Sequence, residues 1–108
     1  MNVTVNYLAI LILMLVCCPS WLAAQNDAAG LFKSKCAMCH AEDGSGNSPA
    51  GKALKAKDLR SAETQAKSDS ELADVITKGR NKMPAFGQKL KPDQIQQLAA
   101  YLHQLAKK

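Results

Sequence analysis

Apolar residues fall into four blocks along the 108-residue chain, and each block has its own spacing. The first, Tyr7 to Val16, is apolar without interruption. It is too short to cross a bilayer, which takes about 20 residues, and reads as the core of an export signal. Ala23 and Ala24 follow the Pro19-Ser20 break, so cleavage is expected after Ala24, leaving residues 25–108 as one domain. The second block, Leu31 and Phe32, sits on a helix that Asn26 or Asp27 can cap. Gly30 lies inside this helix, where a glycine marks a place for another backbone to come close. In the third block, Leu72, Val75 and Ile76 share one helical face. Ser68 and Glu71 form a capping box before it, and Gly79 ends it. The fourth block, Ile95, Leu98, Leu102 and Leu105, is a stripe with Tyr101 at its border. Pro92 and Asp93 suit the start of that helix, and Lys107 and Lys108 suit its end.

Polar segments separate the blocks. Ala41 to Ala53 carries Gly44, Gly46, Pro49 and Gly51 and reads as a loop by its turn chemistry. No strand precedes these glycines, and their spacing fits neither nucleotide-binding fingerprint. Leu54 and Leu59 are apolar points in short helical turns. Gly79 to Gly87 is expected to be extended, because Pro84 biases Met83 away from helix. His103 projects away from the last apolar stripe and reads as a surface histidine.

Composition changes this picture in two ways. A mature chain of 108 − 24 = 84 residues is marginal on an apolar core alone, so a buried cofactor would complete it. The 14 Lys and Arg residues outnumber the 9 Asp and Glu by five, giving a net charge of +5. These cations are scattered over the mature chain and form no arm or stripe, which argues against nucleic-acid binding. Of four cysteines, Cys17 and Cys18 fall in the leader. Only Cys36 and Cys39 remain in the mature domain.

Those two belong to Cys36-Ala37-Met38-Cys39-His40, and C-x-x-C-H is the pattern of covalent haem c attachment. Two thiols within one helical turn can each bond one haem vinyl group, and the following histidine then meets the iron. Three other readings use parts of the motif. A thioredoxin-like centre needs a strand before the C-x-x-C. A zinc site needs a fourth ligand, and the only other histidine is His103. A Cys36–Cys39 disulfide would close too small a loop to stabilise much. The sixth iron ligand follows by elimination. Met1 and Met14 leave with the signal, Met38 lies between the cysteines on the wrong face, and Met83 sits in an extended loop. A backbone carbonyl near Pro49 is expected to accept the second ring N–H of His40.

With these residues in place the chain resembles a small class I c-type cytochrome over residues 26–108. The likeness rests on Gly30 and Phe32 before the C-x-x-C-H, on Met83-Pro84, and on Leu98 with Tyr101 in the last helix. Lys91 departs from the Ser or Thr often found at the cap of that helix. The resemblance implies an all-α fold of about three main helices plus short turns around one haem, with the terminal helices crossing. It implies haem c on Cys36 and Cys39, axial ligands His40 and Met83, and support from Pro49. It further implies a non-enzymatic one-electron carrier, exported to a periplasm or, alternatively, a thylakoid lumen. Its partners would be redox proteins with acidic docking surfaces, met in transient complexes. An enzyme or gas sensor with an opening sixth position, and a subunit docked in a larger complex, are the competing readings.

Overall fold

In the computed structural model, residues 21–108 are described, with side chains from Asp27 onward. Six helices make up the secondary structure of these residues: α1 (Trp21–Lys35), α2 (Ala37–His40), α3 (Pro49–Leu54), α4 (Ala62–Gln65), α5 (Asp69–Lys78) and α6 (Pro92–Leu105). No strand occurs among them; a single antiparallel bridge joins Arg80 to Met83. The three long helices are α1, α5 and α6, as the three amphipathic blocks predict. The apolar run Tyr7 to Val16, expected to be the core of an export signal, lies outside the described residues. Within the described residues α1 already runs from Trp21, so neither Asn26 nor Asp27 caps it. Leu22, Ala23, Ala24 and Gln25 are all good helix formers and carry the helix through.

One core joins the long helices. Phe32 from α1, Leu72, Ala73 and Ile76 from α5, and Ile95, Leu98, Ala99, Leu102 and Leu105 from α6 are buried together, with Phe86 and Leu90 from the intervening segment. Phe32 and Leu98 are the largest side chains to be almost wholly buried, each 1 % exposed. The Phe32 and Tyr101 rings meet at 5.5 Å with a 52° tilt, which fixes α1 against α6. Val75 reaches only half burial at the edge of its stripe.

Helix ends follow their local chemistry. Ser68 Oγ accepts from the Glu71 N–H at 3.1 Å, and Glu71 Oε2 accepts from the Ser68 N–H at 2.7 Å, completing the capping box. These hydrogen bonds hold the Glu71 carboxyl below its usual range. Gly79 closes α5 with φ +72°. At the start of α6 only half of a box forms. Gln94 Oε1 accepts from the Lys91 N–H at 2.9 Å, but the Lys91 side chain has no acceptor to offer in return.

Gly30 is a correction. It is exposed, and a methyl group built on it would meet nothing within 4 Å. Ala28, one turn before Phe32, is the buried small residue of this helix, 5 % exposed. The segment expected to be a loop from Ala41 to Ala53 also differs, because its second half is helix α3. Ser48 accepts from the Gly51 N–H as an N-cap, and Pro49 occupies the first turn, where its missing N–H costs nothing. Leu54 ends α3 half-exposed. Leu59 lies in a turn rather than a helix, packed against the core.

Candidate functional site

Cys36, Cys39 and His40 share one turn. The Cys36 N–H still donates to Phe32 O at 2.9 Å, so the end of α1 delivers Cys36 directly to the start of α2. Its carbonyl then accepts from Cys39 N–H at 3.2 Å and His40 N–H at 2.9 Å. Ala41, at φ +63°, stops the turn. Both cysteines are free thiols at intermediate burial. Burial, and to a lesser degree the neighbouring Cys39, push the Cys36 thiol up to about 11. It is therefore a poor nucleophile at neutral pH, unlike the activated cysteine of a thiol-redox centre.

A clasp from α3 holds this turn from outside. Ser48 Oγ lies 2.7 Å from Met38 O and 3.0 Å from Cys39 O, and it accepts from the Gly51 N–H at 2.9 Å. The Gly46 N–H donates to His40 O at 2.7 Å. Gly51 is buried so closely that an added methyl would collide with the backbone oxygens of Cys39 and Gly46.

The His40 ring is set by a backbone group. Nδ1 lies 3.1 Å from Lys57 O, so this nitrogen carries the proton and Nε2 keeps its lone pair. The carbonyl facing the ring belongs to Lys57 and not to a residue near Pro49, which corrects the expectation. Pro49 is committed to the exposed first turn of α3. Gly46 lets the chain pass close enough, since a methyl there would lie 2.7 Å from Ala56 O. Desolvation lowers the His40 pKa, with the Lys57 carbonyl acting in the opposite sense. The ring thus favours the neutral form that a metal ligand requires.

Met83 lies in the segment between α5 and α6. Its loop is stitched at both ends: Arg80 and Met83 exchange backbone hydrogen bonds at 3.1 and 2.9 Å, Phe86 N–H donates to Ile76 O at 2.9 Å, and Gly87 N–H donates to Thr77 O at 3.1 Å. Gly79 makes room, because a methyl on it would stand 2.6 Å from Met83 O. Met83 is partly buried, whereas Met38 is 77 % exposed. Cys36, Ala37, Leu59 and Met83 are each partly buried and pack against the core. Two thiols, an imidazole nitrogen and a thioether are donor types that suit a covalently held haem.

His103 departs from the sequence expectation of a free surface histidine. It is half-buried, with Nδ1 3.2 Å from Gln65 Oε1 and Nε2 3.0 Å from Asp69 Oδ1. The fourth ligand that the zinc reading needs is therefore already engaged. Two parts of the site escaped sequence reasoning. Ser48-Pro49 was legible as a helix start, but the Lys57 carbonyl carries no residue-type signal.

The chain matches the family model for subunit III of cbb3-type cytochrome c oxidase over residues 23–102. It is 39 % identical to a cytochrome c6 of Nostoc sp. over 84 residues, covering 78 % of this chain and 73 % of the relative. Similarity to the cytochrome c6 of Anabaena variabilis is 40 % over 76 residues, or 70 % of this chain and 85 % of that one. The cbb3-type oxidase subunit FixP of Azorhizobium caulinodans is 35 % identical over 81 % of this chain, which corresponds to 29 % of FixP.

Proposed function

The chain belongs to the small class I c-type cytochromes, with one covalently bound haem c, and we propose that it carries single electrons between partner proteins in an exported compartment. Cys36 and Cys39 would hold the haem through thioether sulfurs, and His40 Nε2 and Met83 Sδ would ligate its iron. The observation that carries this reading is the single turn holding two free thiols beside an imidazole whose Nδ1 is committed to Lys57 O. When bound, haem would supply a one-electron couple. The chain's own residues hold that couple still. The clasp from α3 fixes the His40 turn, and the stitched loop fixes Met83. Two protein ligands leave no open position for a substrate, which separates a carrier from an enzyme or a gas sensor.

Mass spectrometry of the denatured holoprotein tests the attachment. A mass increase equal to one haem on the Cys36–His40 peptide is expected, and haem extracted completely by acidic solvent overturns it. Removal of residues 1–24 is part of the same reading. The mature protein should then lack tryptophan, since Trp21 precedes the cut. Among the described residues no helix is long and apolar enough to cross a membrane.

The partners are proteins with acidic docking surfaces. Lys35, Lys52, Lys55, Arg80 and Lys82 are exposed near the two ligand-bearing segments and make no ion pair among the described residues. Lys33 and Lys57 have only exposed partners, Glu42 at 3.6 Å and Glu63 at 3.8 Å, and such pairs hold them weakly. Long-range attraction speeds encounter without slowing release, and salt screens it over about 8–10 Å. The bimolecular electron-transfer rate should fall steeply with ionic strength, and Lys82→Glu should lower it further. A rate flat in salt would remove these cations from the encounter. Permanent residence in a larger assembly would instead show as co-purification.

A further inference from the structure

Gln65, the last residue of α4, reaches two other parts of the fold, the Leu59 turn and helix α6. Its Nε2 donates to Leu59 O at 2.7 Å and to Leu102 O at 3.0 Å, while His103 Nδ1 lies 3.2 Å from its Oε1. Two carbonyl acceptors can be satisfied only by the amide nitrogen, so the orientation of this amide is determined by chemistry. The oxygen is left to His103, whose other ring nitrogen is held by Asp69 at the start of α5. The amide is thereby restrained on both sides.

Leu59 follows Lys57 by two residues, and Lys57 O is the atom that faces His40 Nδ1. The strip from Ala56 to Leu59 has no regular structure to hold its place. Ala56 N–H donates to Gly51 O and Leu59 N–H to Gly44 O, both at 2.8 Å, and Thr64 Oγ1 makes a long contact of 3.4 Å to Asp58 O. These bonds tie the strip to its own neighbourhood. Leu59 also packs on the core, and among the described residues Gln65 is the side chain that joins the strip to α6 by hydrogen bonds.

We propose that Gln65 is a positioning residue for His40, setting the Lys57 carbonyl against the ring through Leu59 and the last helix. The proposal rests on His40 being the axial ligand. A carbonyl held at this distance keeps the ring from rotating and increases electron donation from the imidazole, which favours ferric iron. A strip released from α6 would slacken that bond. The His40 Nδ1 proton would then exchange faster with solvent, and the reduction potential would rise.

Proton NMR of the ferrous holoprotein, with potentiometry on the same samples, tests this on Gln65→Ala and Gln65→Glu. The second variant keeps the shape and packing of the side chain but replaces both donated protons with an acceptor, so it serves if the alanine variant fails to assemble. Ile95→Val lowers stability through the core without touching the strip or the Met83 loop and is the control. The expected result is exchange of the His40 Nδ1 proton at least tenfold faster in the Gln65 variants, a higher potential, and wild-type values for both in Ile95→Val. Unchanged exchange and potential in the Gln65 variants, or equal changes in Ile95→Val, would reduce Gln65 to a general stabiliser and overturn the proposal. A wild-type spectrum lacking the ring N–H of an iron-bound imidazole would instead overturn the His40 assignment beneath it.

Discussion

Met83→Ala is expected to turn a closed electron carrier into a protein that binds carbon monoxide. Alanine cannot reach a metal, and among the described residues the other methionine, Met38, is 77 % exposed between the two attachment cysteines. Loss of the thioether should abolish the sulfur-to-iron charge-transfer band. The potential should fall by an amount on the order of a few hundred millivolts, within the ~0.8 V range over which axial ligands act. The fold should survive, because the Met83 backbone is held through Arg80 and the exit of its loop through Phe86 and Gly87. Absorption spectra of the oxidised, reduced and carbon-monoxide-treated variant check all of this. An unchanged spectrum would assign the sixth position to another residue.

Gly51→Ala should damage assembly more than most core truncations. The added methyl would collide with two backbone oxygens, Cys39 O and Gly46 O, and backbone cannot turn aside as a flexible side chain can. Overpacking of a tight site costs about 1–3 kcal/mol, occasionally more, and relief here requires α3 to move off the attachment turn. Ser48 would lose its bonds to Met38 O and Cys39 O in that movement. We expect at least ~3 kcal/mol lost in urea unfolding and a lower yield of covalent holoprotein. Ser48→Ala keeps the close approach and loses one cap, so its cost should be nearer ~1 kcal/mol. A Gly51→Ala protein within ~0.5 kcal/mol of wild type would show that α3 does not clamp the turn.

The amino-acid sequence by itself determined the features whose physics is local. Periodicity located α5 and α6, Ser68 and Glu71 announced their own capping box, and Pro84 kept Met83 out of a helix. The C-x-x-C-H spacing placed two thiols and an imidazole on one turn before any tertiary contact was known. Helix α3 was also locally encoded, in Ser48-Pro49, but the surrounding glycines masked it. Only the tertiary structure decided which oxygen faces His40, that Ala28 is buried while Gly30 is exposed, and that His103 is engaged with Gln65 and Asp69. Each of these depends on a main-chain group or on a partner distant in sequence. A carbonyl is the same at every residue, so the choice of Lys57 over a residue near Pro49 is made by where the chain folds back.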